Sequence, residues 1–224
     1  MKNIEEEYEQ IKKEIEDFVN NFHENEKVLT NINKYYKGIQ VLFSPLIKNP
    51  TFMFIGINPG MGFSKAEKRN VKRYSPLKFS EYSWGDYSLA RETRKLFKLA
   101  NIPEFEIKNT VKSNCFFFAT QNEKELYALL SHLKQFNVYN RSKKWINSIV
   151  QIISPKIIIC EGQSAFYRFI KNKNCFIENN GKVLYAKHND IHIIGYKRIY
   201  SNIRNINEVA KLLQDISADI QYKY

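Results

Sequence analysis

The stretch Thr51-Phe-Met-Phe-Ile-Gly-Ile-Asn-Pro-Gly60 constrains the fold of this chain more than any other. From Thr51 to Ile55 every residue is apolar or β-branched, and Gly56 closes the run. Unbroken apolar character, rather than alternation, marks a strand buried on both faces, as in parallel sheets covered by helices. The run breaks at Gly56-Ile57-Asn58-Pro59-Gly60, where two glycines and a proline predict a tight turn. Open α/β sheets build their ligand sites outside the carboxyl ends of such strands. Asn58 is the one polar side chain in the turn and the first candidate for chemistry.

Three further segments read as buried strands: Ser113-Asn-Cys-Phe-Phe-Phe-Ala-Thr120, which opens with the polar Asn114, Lys156-Ile-Ile-Ile-Cys-Glu-Gly162, and His192-Ile-Ile-Gly-Tyr196. Between and around them lie segments with apolar residues three and four apart: residues 4–22, 89–100, 123–136, 141–153, 163–170 and 205–221. Asn180-Gly181 predicts a hairpin. The alternation of strand and helix predicts a single α/β domain over residues 1–224, a three-layer α/β/α sandwich around a central, mostly parallel four-stranded sheet. Residues 1–48 would be an N-terminal helix and connector, and residues 49–224 the core.

Charge narrows the partner. The net charge is +12, yet residues 1–26 hold three lysines against nine acids, a net of −6 that leaves +18 on the rest. A basic body with an acidic N-terminal helix predicts a polyanionic partner, most often nucleic acid, although a lysine-rich surface alone would give the same balance. Directly after the turn, Lys65, Lys68, Arg69, Lys72, Arg73 and Lys78 are interleaved with Phe63, Tyr74, Phe79, Tyr82, Trp84 and Tyr87. Basic and aromatic residues together suit phosphate contact plus base stacking.

Other chemistries find little support. Three scattered cysteines, Cys115, Cys160 and Cys175, predict no disulfide framework, zinc site or iron–sulfur cluster. The four histidines fall at no metal-ligand spacing, though His188 and His192 flank the last strand within reach of a site. Dinucleotide-binding, phosphate-loop and nucleophile-elbow motifs are all missing. No signal peptide and no apolar run near about 18 residues is present, so a soluble, intracellular, cytoplasmic protein without a membrane partner is expected.

Phe54-Ile-Gly-Ile-Asn-Pro-Gly60 resembles the first motif of the uracil-DNA glycosylase superfamily, in the form found in its mismatch-specific and single-strand-selective branches. Ser113-Asn114-Cys115-Phe116 resembles the second strand of that family. Ile153 to Ala165 is similar to its third strand and the Gly-x-x-Ala start of the next helix, and His192 to Tyr196 with the following loop to its last motif. The likeness spans residues of about 50–215. It implies a uracil-DNA glycosylase-like fold and a monofunctional DNA N-glycosylase, a hydrolase that flips uracil or another modified pyrimidine out of DNA and excises it in repair. It implies no cofactor and a monomer acting on single- or double-stranded DNA, near the nucleoid in a bacterium.

By the same resemblance Asn58 positions the attacking water. Gly56, Ile57, Phe63, Asn114 and Tyr196 surround the base, with Asn114 reading its edge. Lys65, Lys68, Arg69, Lys72, Arg73, Ser201 and Asn202 hold the DNA. The last motif departs from the His-Pro-Ser or Asn-Pro-Ser of the family and reads Gly195-Tyr-Lys-Arg-Ile-Tyr-Ser-Asn202. Lys197 or Arg198 would then supply the cationic donor to the leaving base or to a phosphate. If neither does, the chain is a non-catalytic nucleic-acid-binding module on the same fold. A hydrolase of free nucleosides is the third reading.

Overall fold

The computed structural model describes residues 3–60, 71–171 and 173–221. The chain opens with α1 (Ile4–His23) and α2 (Glu26–Ile32), each capped by an asparagine side chain that accepts from a first-turn N–H, Asn3 from Glu5 and Asn25 from Val28. Short β1 (Gly38–Gln40) precedes the buried strand β2 (Phe52–Gly56). After β3 (Val71–Arg73) come α3 (Glu81–Trp84), α4 (Ser88–Leu99) and α5 (Glu104–Lys108). Next are β4 (Val111–Asn114), β5 (Phe118–Ala119), α6 (Glu123–His132) and α7 (Val138–Ile153). Then follow β6 (Ile157–Cys160), α8 (Gln163–Ile170), β7 (Ile177–Asn179), β8 (Val183–His188) and β9 (Ile191–Tyr196). A small hairpin, β10 (Arg198–Ile199) and β11 (Asn202–Ile203), leads into α9 (Ile206–Gln221).

The central sheet runs β4-β2-β6-β9-β8-β7. Its first four strands are parallel, and β8 and β7 extend it antiparallel through the hairpin at Asn180-Gly181. Three of the four expected strands lie in the parallel part of this larger, mostly parallel sheet, and the fourth place is taken by β4, which overlaps the expected run 113–120 only at Ser113 and Asn114. Side chains of β2 alternate between two cores: Met53 and Ile55 pack with α1, α6, α7 and α8, whereas Phe52 and Phe54 pack with α4 and α9. Helices therefore cover both faces, an arrangement compatible with an α/β/α sandwich. Each such side chain contributes about 1.5–3 kcal/mol of burial, which is why an unbroken apolar run suits this strand.

Two segments differ from expectation. The run 113–120 is not one strand. β4 ends at Asn114, and β5 joins a separate sheet of order β3-β1-β5. The chain leaves the ladder because Cys115 and Phe116 donate their N–H groups to the carbonyls of Gly56 and Ile57, at 2.8 and 3.0 Å, and so follow the turn instead. The connector after α1 is also no mere linker: Ile39, Val41, Leu42 and Phe43 are buried, and Ser44 Oγ accepts from the Lys112 N–H at 2.8 Å, closing the outer edge of β4. The acidic helix α1 packs through Phe18 and Phe22 onto Phe118 and Trp145, so it belongs to the same core.

Candidate active site at the carboxyl edge of the sheet

The carboxyl ends of β2, β4 and β6 meet in register, with Gly56 opposite Asn114 and Ile55 opposite Cys160. A cavity of about 520 Å³ opens there. Gly56, Ile57, Asn58, Asn114, Glu161, Lys112 and Arg198 all line it. A larger groove of about 820 Å³ lies at the opposite end of the sheet, around Lys156, Lys187, Asp190 and His192. Its polar residues are half-buried or exposed, whereas the first cavity gathers buried polar groups.

One wall is the turn after β2. Asn58 is half-buried, and its Nδ2 donates to the carbonyls of Pro59 (2.9 Å) and Phe118 (3.3 Å) and to Thr120 Oγ1 (3.0 Å). Two of those partners are carbonyl oxygens, so the amide orientation follows from the contacts, and Oδ1 remains to accept a hydrogen bond. Asn114 is buried and stands over Gly56: a side chain on Gly56 would start 2.3 Å from Asn114 Oδ1. Only glycine fits beneath that amide. The Asn114 Nδ2 is buried and has no hydrogen-bond partner among the described residues. An unsatisfied buried donor costs about 1–3 kcal/mol, so an acceptor brought by a ligand would recover that cost.

The other wall is charged. Lys112 is 6% exposed and Glu161 3%. The Lys112 ammonium lies 3.1 Å from Glu81 Oε1, 4.0 Å from Glu161 Oε2 and 4.1 Å from the centre of the Tyr82 ring. The Tyr82 hydroxyl donates to Glu161 Oε1, and the Tyr87 hydroxyl donates to Glu81 Oε1 at 2.5 Å. Burial pushes the Lys112 ammonium below its ordinary range, and Glu81 opposes that fall. Burial lifts the Glu161 carboxyl to about 7, against the pull of Arg198 and helped by repulsion from Glu81. A desolvated carboxyl beside two cations in a cleft is a functional-site signature.

The hairpin β10–β11 forms the mouth. Arg198 and Ser201 line the cavity, and so does Tyr200, which is 93% exposed at the tip with a left-handed φ of 54°. On the far side Gln40 pairs with Arg73 in the β1–β3 ladder, and both line the cavity.

The expected site residues separate into three groups. Gly56, Ile57, Asn58, Asn114, Arg73, Arg198 and Ser201 share the cavity. Phe63, Lys65, Lys68 and Arg69 lie outside the described residues. Lys72, Lys197 and Asn202 are exposed and do not line the cavity. Tyr196 does not line it either: its side chain is wholly buried with Phe54, Ile159 and Ile194, because alternation along β9 turns it into the core facing α4 and α9. His188 and His192 sit at the other end of the sheet, where His192 is opposite Ile157 at the start of β6 and bonds the Tyr185 hydroxyl. Tyr82, grouped with the stacking aromatics, is instead a buried partner of Glu161.

Lys112, Glu161 and Glu81 were not among the expected residues. The available signal was at Glu161 alone, a charge directly after the apolar run Ile157-Ile-Ile-Cys160; Lys112, in Asn109-Thr-Val-Lys-Ser-Asn114, carries none. Among the described residues no group of three or more His, Cys, Asp or Glu is disposed to hold a metal, and no helix is long and apolar enough to cross a membrane. No protein-family model matches this chain, and no curated protein does.

Proposed function

We propose that this protein is a monofunctional DNA glycosylase of the uracil-DNA glycosylase type, hydrolysing the N-glycosidic bond of uracil or another modified pyrimidine. The carrying observation is the pair of asparagines at the ends of adjacent parallel strands, Asn58 and Asn114, which face one cavity across Gly56. Cleavage of that bond develops positive charge on the sugar and negative charge on the departing base, so a site needs a held water, a base reader and a cation. Asn58 Oδ1 holds the water, its amide fixed by one bond to the Pro59 carbonyl and two to the segment Phe118–Thr120. An amide is too weak to act as a strong general base, so Asn58 orients rather than deprotonates. Asn114 reads the base edge through the donor that protein groups leave unpaired. Arg198 stands where Lys197 does not, and supplies the cation facing the departing base. A base reaches such a cavity only if flipped out of the stack. The fold is then that of the superfamily, with a hairpin in place of its usual last motif.

The test is release of free base from oligonucleotides carrying uracil, 5-methylcytosine or oxidised pyrimidines, with Asn58→Ala as the control. Release by the natural protein and its loss in the variant support the reading, and no release from any of these substrates overturns it. The exposed positions of Lys197 and Asn202 favour a second reading, a binding module without catalysis. Salt-dependent DNA binding, indifferent to Asn58→Ala and without base release, would identify that alternative.

A further inference from the structure

The charged wall of the cavity has a place in base recognition. The backbone N–H of Glu161 still belongs to the sheet, donating to the Ile55 carbonyl at 2.9 Å, so the carboxyl is held rigidly beside Gly56. Its Oε1 accepts from the Tyr82 hydroxyl. Its Oε2 lies 3.2 Å from the point where a Gly56 side chain would begin, and Asn114 Oδ1 lies 2.3 Å from the same point. A buried amide from the end of β4 and a buried carboxyl just after β6 thus close in over Gly56 from neighbouring positions, and both line the cavity. Asn114 Nδ2 has no partner among the described residues. The charged and titratable groups that act on Glu161 are Tyr82 and Glu81 of α3, Lys112 of β4, Tyr196 of β9 and Arg198 of β10. Lys112 sits between the two carboxyls, 3.1 Å from Glu81 Oε1 and 4.0 Å from Glu161 Oε2, and lies over the Tyr82 ring, so its tighter partner is Glu81.

We propose, building on the base-excision reading, that Glu161 selects the base beside Asn114 by its exocyclic group: as a carboxylate it accepts from an amine, and as a carboxylic acid it donates to a carbonyl. Asn114 adapts to either edge, since its amide carries both a donor and an acceptor. Glu161 adapts only by gaining or losing a proton. With the carboxyl lifted to about 7 by burial, both forms are present near neutrality. A keto edge, as in uracil, is favoured on the acid side. An amino edge, as in cytosine and its 5-substituted forms, is favoured on the alkaline side. The mismatched combination sets a carbonyl lone pair against a buried carboxylate, the kind of unpaired polar contact that discriminates strongly between close analogues. No bond to the base forms in this step, and the proton stays on Glu161.

Equilibrium binding tests the proposal with Asn58→Ala protein, whose base release is slowed so that the uracil oligonucleotide persists through a short measurement. The probes are two otherwise identical oligonucleotides, one with uracil and one with 5-methylcytosine at a single position. The affinity ratio, uracil over 5-methylcytosine, is expected to fall by about tenfold or more from about pH 6 to about pH 8. Titrations that affect DNA contacts in general cancel in that ratio. Glu161→Gln, a permanent donor and acceptor, is expected to make it independent of pH. A flat ratio in the parent protein overturns the proposal without any need for the second variant, as does a slope that Glu161→Gln leaves unchanged. Base release by the natural protein alongside a flat ratio would sink this inference and leave the glycosylase reading intact. Absence of release from every substrate, with no discrimination in binding, would remove both.

Discussion

The two walls of the cavity are held by different physics. The Gly56–Gly60 wall is neutral and anchored by backbone: Cys115, Phe116 and Thr120 donate to the carbonyls of Gly56, Ile57 and Pro59, and Asn58 ties its amide into the same segment. The opposite wall is built from Glu81, Lys112, Glu161 and Arg198, on three helices or strands and the residue after a fourth. Such a wall is costly, because charges taken out of water are restored only by close, well-oriented partners. A wall of backbone bonds is insensitive to pH and tolerant of surface change. A wall of buried charge is sensitive to both, and that is where selectivity among ligands can be tuned.

The largest expected effect breaks the charged wall. Lys112→Ala removes the ammonium between Glu81 and Glu161 and is expected to cost about 3–5 kcal/mol in denaturant unfolding. Combining Lys112→Met with Glu81→Gln should restore much of that loss, since a neutral pair of similar volume carries no stranded charge. A loss below about 1 kcal/mol for Lys112→Ala would mean that water reaches this wall. Glu161 gives the next effect. Its folded carboxyl holds a proton up to about 7 against an ordinary 4.5, so between those values the folded state binds more protons than the unfolded. This contribution is fully present below the ordinary value and is lost as pH rises through the folded one. The slope, on the order of 3 kcal/mol across that window, should disappear in Glu161→Gln.

The same contrast explains what the sequence could reveal. The neutral wall was legible because its cause is local: the apolar residues Phe52 to Ile55 end in Gly-Ile-Asn-Pro-Gly, and strand and turn follow from neighbours along the chain. Asn114 stood out as a polar residue beside an apolar run, but the sequence placed it at the start of a strand, whereas it closes β4. The exit of the chain at Cys115 was not legible, since it depends on carbonyls of Gly56 and Ile57 almost sixty positions earlier. Residues 81, 112, 161 and 198 meet only through the sheet order, and of the four only Glu161, at the end of an apolar run, stands apart from surface charge along the sequence. Tyr196 misled because the side of β9 it occupies is decided by the β8–β9 register, set by the two-residue turn Asn189-Asp190 rather than by the Asn180-Gly181 hairpin read from the sequence.

The neutral wall has its own tests. Asn58→Ala should lower base release by about 10²-fold, the scale of losing one oriented polar group in a closed site. The change should cost about 1 kcal/mol of stability from the amide bonds to Phe118 and Thr120. Equal loss of both would make Asn58 a turn-fixing residue alone. Gly56→Ala sets a methyl 2.3 Å from Asn114 Oδ1 and 3.2 Å from Glu161 Oε2, so the buried Asn114 amide must turn away to admit it. About 2 kcal/mol of destabilisation is expected, within the range for overpacked sites. Because this methyl touches both walls at once, its effect on base release should exceed its effect on folding. A fully active Gly56→Ala would show that no ligand enters between Asn114 and Glu161.

The smallest effect lies at the mouth, where neither wall applies. Tyr200 is 93% exposed and takes a left-handed backbone, φ 54°, in the turn joining β10 to β11. A non-glycine residue there costs about 1 kcal/mol, and burial offers Tyr200 nothing in return. An exposed aromatic held in a strained turn beside a cavity suits stacking on a base of a polymer that lies across the mouth. Tyr200→Gly is therefore expected to leave thermal stability equal or slightly raised while weakening DNA affinity by about fivefold, toward the low end of base stacking. Tyr200→Phe, which keeps the ring, should bind as the natural protein does. If Tyr200→Gly gains stability and loses no affinity, the polymer does not cross this hairpin, and the cavity serves a ligand small enough to enter without touching its rim.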